Sequence, residues 1–457
     1  MTRELPKVNN YMNKNDLIPL DITDISADGS GIGKYNGMAV FVPLTAVGDS
    51  IVARILKVKK NYSFAKAEEI LSKSDNRIEI DCPVFSKCGG CAFRHINYQS
   101  ECELKQNRVY ETMKRIGGVD LKPMPIVCGH SLRYRNKAQY PLSLGGKVGF
   151  YSTHSHRVAE CDDCLLQPKE FSYITKIFEE FIKEYGISVY DENTKRGLVR
   201  HLYLRKAENT GEIMAVVVIN GEQLPYSDKL TNRLSEVLGD RLKSVQLNIN
   251  KENTNVILGD RNVLIYGKEY ITDVLCGVKI RLSPFSFYQV NHNMAENLYK
   301  KAQEYAKPDN KNILDLYCGT GTIGLSMAKR ANKIIGVEII PQAVEDAKIN
   351  ALKNGINNAQ FICFDASSAV SKLNGQGFKP DTVILDPPRK GCTEQLLSTV
   401  AHGFNPERIV YISCDVATLA RDVAILSNSG YQLIEYTPFD LFPRTAHVET
   451  VALLINT

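Results

Sequence analysis

No stretch of the 457-residue chain approaches the roughly 18 consecutive apolar residues that crossing a bilayer requires, so no membrane-spanning helix is expected. The opening residues, Met1-Thr2-Arg3-Glu4-Leu5-Pro6, lack the apolar core of a secretion signal, and a cytoplasmic protein with no membrane partner is expected. Neither sign of charge dominates, with 56 Lys and Arg against 51 Asp and Glu. A net charge of +5 permits a polyanionic partner without requiring one. Repeats and low-complexity linkers are absent from the middle of the chain, and with 44% hydrophobic residues there is material for two to four domains with sizeable cores. The twelve cysteines are too dilute for a secreted disulfide scaffold. In a reducing compartment they are expected to be free thiols, metal ligands or catalysts.

The pattern along the chain divides into three. Residues 14–72 alternate apolar and polar positions between glycine turns, with four or five short strands in 17–25, 31–34, 38–42 and 49–58. This predicts a small antiparallel barrel. Its last part carries Arg54, Lys57, Lys59, Lys60 and Lys66 with Tyr62 and Phe64 interleaved, a combination that OB-like barrels use to follow a backbone and stack bases. A solvated basic face explains the same composition. Residues 73–265 read as a mixed, strand-rich second domain with helices at 97–116 and 168–184. Two basic segments inside it, Arg133-Tyr134-Arg135-Asn136-Lys137 and Lys195-Arg196 with Arg200 to Lys206, are candidates for phosphate contact. Residues 266–457 alternate strands (312–316, 333–338, 359–364, 382–385, 408–413, 449–455) with helices, which predicts one doubly wound α/β domain.

Cys82, Cys88 and Cys91 stand six and then three residues apart, with Gly89-Gly90 between the last two. Glycines there let a backbone wrap a small inorganic centre, and Cys161 and Cys164 are the candidates for a fourth ligand. Four cysteines suit zinc and a cubane iron–sulfur cluster alike. The spacing of four and then three used by radical enzymes is absent.

Asp315-Leu316-Tyr317-Cys318-Gly319-Thr320-Gly321-Thr322-Ile323-Gly324 places Gly-x-Gly-x-x-Gly directly after a strand and before a helix. Such a loop accepts a dinucleotide or S-adenosylmethionine. Glu338, at the end of the next strand, suits both ribose hydroxyls in either case. Asp315, able to answer a methionyl amino group, and the Asp386-Pro387-Pro388 turn favour S-adenosylmethionine, with Asp365 near the adenine. Cys414 ends a strand one unit beyond Asp386. In doubly wound sheets the ligand lies beyond the carboxyl ends of the strands, so this thiol is expected to face substrate.

Assembled, these residues resemble the uracil-5 RNA methyltransferases, particularly the branch with an amino-terminal TRAM domain and a four-iron cluster. The resemblance spans nearly the whole chain. It rests on Gly31-Ile32-Gly33 through Val42-Pro43, the cysteine pattern, Phe285-Ser286-Phe287-Tyr288-Gln289-Val290-Asn291, the glycine loop, Asp386-Pro387-Pro388-Arg389-Lys390-Gly391, Ser413-Cys414-Asp415 and His447-Val448-Glu449-Thr450-Val451. It implies a TRAM barrel at 14–72, a central iron–sulfur and RNA-binding domain at 73–265 and a Rossmann-like class I methyltransferase at 266–457. It further implies Gln289, Tyr317, Glu338 and Asp386 as S-adenosylmethionine contacts. The stretch His156 to Val158 followed by Cys164-Leu165-Leu166-Gln167 implies Cys164, with Cys82, Cys88 and Cys91, as the ligands of a 4Fe–4S cluster, zinc being the other choice. Cys161 is an extra thiol that leaves this assignment open. The implied partner is 23S ribosomal RNA, with transfer RNA as the alternative, and the implied state is a monomer.

The chemistry follows from uracil. Its carbon 5 is too weak a nucleophile to accept a methyl group until a nucleophile adds at carbon 6, which is the expected role of Cys414. A free thiol with a pKa of about 8.5 needs a depressed pKa or a proton acceptor. Asp386 is expected to orient the base or accept its imide hydrogen, and Glu449 to remove the carbon 5 proton afterwards. Three rival readings stand beside this one. An amino-group methyltransferase would carry an aromatic residue where Arg389 stands, an oxidoreductase leaves Cys414 and Glu449 idle, and a noncatalytic iron–sulfur RNA-binding sensor requires Cys414 to be dispensable.

Overall fold

The computed structural model describes residues 12–153 and 155–457, so the opening residues read above lie outside the described residues. Residues 17–72 form a six-stranded sheet in the order Leu17–Asp21, Ser50–Val58, Tyr62–Ser72, Met38–Val42, Gly31–Tyr35, Asp24–Ile25. The two outermost strands are consecutive in sequence. The bend between them ties both edges together, with Ile22 O accepting from Gly48 N–H and Thr23 N–H donating to Ile32 O, each at 2.8 Å. That bend also splits the 17–25 run in two, which with Tyr62–Ser72 makes six strands where four or five were expected, and Tyr62–Ser72 pairs parallel with Met38–Val42 where an antiparallel barrel was expected. Ile18, Leu20, Val40, Val42, Ile51, Ala53 and Ile55 fill the interior, in keeping with the two-residue alternation.

The middle of the chain is built on five strands in the order Arg261–Gly267, Leu242–Ile249, Ile213–Ile219, Val199–Lys206, Lys137–Pro141. Leu202, Leu204, Ala215 and Val217 face the helices Lys169–Glu184 and Ser227–Leu238. The alternate residues Tyr203, Met214 and Val216 face the other way and share a core with the carboxyl-terminal sheet. Strand Arg261–Gly267 runs across position 265 and pairs with Leu242–Ile249. Helix Tyr98–Gly117, capped by Asn97 accepting from Ser100 N–H at 2.8 Å, packs Val109 and Met113 into the core that holds Leu419, Ala420 and Val423. It thus lies against the carboxyl-terminal sheet although its sequence position is in the middle segment.

The carboxyl-terminal sheet has seven strands: β1 (Asn312–Leu316), β2 (Lys333–Glu338), β3 (Ala359–Cys363), β4 (Thr382–Leu385), β5 (Arg408–Ser413), β6 (Tyr431–Phe439) and β7 (Glu449–Asn456), in the order β3-β2-β1-β4-β5-β7-β6. The first five are parallel, and β7 runs antiparallel to both neighbours. Residues alternate between two cores. Ile313, Ile334, Ile384 and Val410 enter one, and Leu314, Ile335, Val383 and Ile409 the other. Both faces are covered, as a parallel sheet requires. Strand β6 escaped the sequence reading because a bulge between Leu433 and Glu435 breaks its alternation and Pro438 argues against a strand.

Candidate active site

The polar groups of interest collect where β1, β2, β4 and β5 end and antiparallel β7 begins. Ser413 pairs with Thr450, so the register, carried one residue further, sets Cys414 opposite Glu449. On the other side Leu385 pairs with Tyr411 and Leu316 with Leu385, which brings Asp386 between Tyr317 and the Cys414 strand. Cys414 is fixed from both directions. Ser413 Oγ donates to Asp415 O at 2.8 Å, and Asp415 Oδ1 caps helix Val416–Asn428 by accepting from Ala417 and Thr418 N–H, both at 3.0 Å.

Burial dominates the electrostatics. It pushes the Cys414 thiol up to about 11, with the negative charges of Glu449 and Asp386 adding and Arg389 pulling back. Glu449 is buried and pushed up to about 8 by desolvation and then by Asp386, with Arg389 again opposing. Desolvation alone lifts Asp386 to about 7. Three groups with raised pKa values therefore gather beside one exposed guanidinium, Glu449 buried and Asp386 and Cys414 partly exposed, a concentration of perturbed groups that points to a reactive site. Arg389 entered the sequence reading only as an argument against another enzyme class. Its electrostatic tie to Cys414, Glu449 and His447 becomes visible only when the chain is folded.

Beside this corner lies the glycine loop. Gly319 and Gly321 have φ of +54° and +78°, and a Cβ on Gly321 would meet the Phe361 ring at 2.8 Å, whereas one on Gly319 would face open space. Glu338 accepts from Gly319 N–H (3.1 Å), Ile339 N–H (2.9 Å) and Ile340 N–H (3.0 Å). Asp315 accepts from Gly324 N–H at 2.9 Å through one oxygen, and the other is buried with no partner. Burial lifts its pKa to about 7. A buried, unpartnered carboxylate oxygen suits an ammonium group such as that of a methionyl moiety. Tyr317 stands at φ +64° with its hydroxyl toward Cys392. Asp365 is exposed and caps helix Ala366–Gly375 through Ser368 N–H at 3.1 Å. Half-buried Gln289 lies on the 283–291 loop, its carbonyl accepting from Asn136 Nδ2 at 2.9 Å.

Arg205 corrects one expectation. It is buried and donates to Ser283 O and Ser286 O, each at 2.8 Å, so it braces the Gln289 loop and is not available to phosphate. Arg200 is likewise buried against Asn250 O, Glu252 O and Thr254 O, and Arg133 forks onto Asp163 at 2.6 and 2.7 Å. In the small sheet, Arg54 and Lys66 both pair with Glu68. Lys57, Lys59 and Lys60 are exposed and form no ion pair among the described residues, beside the half-exposed rings of Tyr62 and Phe64.

Cys82, Cys88, Cys91, Cys161 and Cys164 line one cavity of about 220 Å³. Gly90 N–H donates to Cys88 Sγ at 3.3 Å. Among the described residues no three His, Cys, Asp or Glu side chains converge closely enough to hold a metal ion, so the thiols ring a space and do not meet at a point. Cys102 and Cys128 correct the expectation of free thiols, being joined as a disulfide.

The doubly wound sheet with its glycine loop, buried acids and strand-end thiol defines a class I S-adenosylmethionine-dependent methyltransferase. Residues 224–457 match the tRNA (uracil-5-)-methyltransferase family and residues 14–67 the TRAM domain. An RNA methyltransferase of Halalkalibacterium halodurans is 41% identical over 97% of this chain and 98% of its own length, and one of Clostridium acetobutylicum is 41% identical over 96% and 97%. The crystal structure of Pyrococcus abyssi tRNA (uracil-54, C5)-methyltransferase with S-adenosyl-L-homocysteine is 30% identical and superposes with a TM-score of 0.79 over 96% of this chain and 99% of that one. The chain belongs to the RNA uracil-5-methyltransferase family and is an S-adenosylmethionine-dependent RNA methyltransferase, which removes the oxidoreductase and noncatalytic readings. Among the described residues no helix is long and apolar enough to cross a membrane.

Proposed function

We propose that the protein methylates carbon 5 of a uridine in 23S ribosomal RNA through a covalent adduct between Cys414 and carbon 6 of the base. The carrying observation is the register that sets Cys414 opposite Glu449, with Asp386 on the adjoining strand. A base has to leave its stack to enter such a corner. Asp386 orients it through its imide hydrogen. Cys414 adds to carbon 6 as the thiolate, aided by Arg389, and the ring gains enolate character that makes carbon 5 nucleophilic. When bound, S-adenosylmethionine supplies an electrophilic methyl group. Gln289, Tyr317, Glu338, Asp386, Asp315, Gly319 and Gly321 hold that cofactor, with Asp365 near its adenine. Glu449 then takes the proton from carbon 5, and the electron pair of that bond expels Cys414.

Cys82, Cys88, Cys91 and Cys164, which line one cavity, are the residues that would hold a 4Fe–4S cluster, with zinc as the other choice, since four cysteines suit both. No step of the reaction uses either. Cys161 remains a spare thiol. The 14–72 barrel meets flanking nucleotides through Lys57, Lys59, Lys60, Tyr62 and Phe64, and the chain works as a monomer. Transfer RNA is the second reading, favoured by the printed substrate of the Pyrococcus abyssi relative.

The test incubates purified protein with radiolabelled S-adenosylmethionine and, separately, 23S ribosomal RNA and transfer RNA from cells lacking this gene. Label in 5-methyluridine of ribosomal RNA is expected. Label in transfer RNA alone keeps the chemistry and reassigns the partner, and label in another nucleoside overturns the mechanism.

A further inference from the structure

The segment that delivers Glu449 is held largely from outside its own sheet. Strand β6 ends at Phe439, which pairs with Glu449, so residues 440–448 form the connection between them. At its start Asp440, fully buried, accepts from Lys105 Nζ at 2.7 Å and from the Tyr98 hydroxyl at 2.8 Å. Lys105 is buried too, and donates to Glu101 Oε1 at 2.7 Å and Phe442 O at 3.3 Å. Glu101 Oε1 accepts from Arg444 N–H at 2.7 Å, and the Arg444 guanidinium lies 3.5 Å from the other carboxylate oxygen. Two carboxylates and two cations therefore balance in the interior, and removing any one leaves a buried charge uncompensated.

The loop after Cys91 grips the same segment. The N–H groups of Ala92 and Phe93 both donate to Arg444 O, at 2.7 and 3.1 Å, and Arg444 Nη1 donates to Ile96 O at 2.9 Å. Arg444 has φ of +69°, a conformation that persists only where its surroundings over-determine it. Arg108 Nη2 donates to Ala446 O at 2.6 Å, three residues before Glu449.

We propose that Glu101, Lys105, Asp440 and Arg444 are positioning residues for Glu449, and that through Arg444 the loop following Cys91 helps to fix where the general base stands. This rests on the reading of Glu449 as the base. Attack by Cys414 and methyl transfer do not use Glu449, so a misplaced base slows only the loss of the carbon 5 proton. The signature is a methylated covalent RNA adduct that persists.

The experiment compares the full-length protein with Lys105→Met. It measures turnover, the radiolabelled protein–RNA adduct on a denaturing gel and S-adenosylhomocysteine affinity by calorimetry. A loss of roughly a hundredfold in turnover is expected from a misplacement of about 1 Å, with the adduct accumulating and the affinity unchanged. A variant that binds S-adenosylhomocysteine normally and turns over like the parent overturns the proposal, as does one that loses turnover without accumulating adduct. Should Lys105→Met fail to fold, Tyr98→Phe deletes a single bond to Asp440 and is read in the same way. There a turnover loss of about tenfold with adduct is expected, and parental behaviour overturns the idea. Glu449→Gln run alongside separates the two claims. If it traps adduct and the others do not, only the positioning claim falls, and if it traps none, the base assignment falls with it.

Discussion

Cys414 and Glu449 share one physical problem, that burial holds both in their neutral forms. With the thiol pushed up to about 11 and the carboxyl to about 8, the pair proposed to react is mostly protonated at neutral pH. The rate of methylation should therefore climb between pH 6 and 9, and a flat profile would contradict the assignment. Cys414→Ala should abolish methylation while S-adenosylhomocysteine still binds in calorimetry. Glu449 also makes a prediction about stability. Its folded pKa of about 8 lies above the ordinary 4.5, so the folded state binds the extra proton. That contribution is complete below pH 4.5 and is lost as pH rises through 8. Glu449→Gln should raise the melting temperature at pH 9 while changing it little at pH 5. The gain at pH 9 is expected to be on the order of a few kcal/mol, measurable in parallel thermal scans.

Between residue and domain, the decisive parts are connections and strand ends. The 283–291 loop carries Gln289 and is pinned by buried Arg205 through two carbonyls. Arg205→Met should cost about 2–3 kcal/mol in denaturant unfolding, because two carbonyl acceptors lose a charged donor. It should also weaken S-adenosylmethionine binding, since Gln289 loses its brace. The sequence offered Arg205 as a phosphate ligand because composition shows that a residue is basic and says nothing about which way a strand faces. Strands β1 to β5 were legible because each is an apolar run bounded by turn residues. Strand β6 was not, since its bulge and Pro438 disguise a pairing that only β7 makes possible.

Across the whole molecule, the three regions interlock. Helix Tyr98–Gly117 leaves its own segment of sequence to pack into the core on one face of the carboxyl-terminal sheet, and Tyr203 and Met214 enter the separate core on the other face. RNA reaching the site from the small amino-terminal sheet would meet Lys57, Lys59 and Lys60. Replacing all three by glutamine should weaken binding alike for every RNA sequence. It should also flatten the dependence of log affinity on log salt by about two units, at about 0.7 per single-strand phosphate contact, as read by filter binding over a salt series.

The sequence by itself determined the reaction class, S-adenosylmethionine-dependent RNA uracil-5 methylation, and the order of the parts, because glycine loops, strand-end acids and a cysteine after an apolar run are local patterns with local causes. It marked Cys414, Glu449, Asp386 and the glycine loop without knowing their distances. Only the tertiary structure decided that Cys414 stands across from Glu449, that Arg389 is the cation among them, that Arg200 and Arg205 are consumed internally, and that Cys102 and Cys128 are bonded. Each of these depends on register, burial or packing between residues tens of positions apart, which leave no periodic trace in the chain.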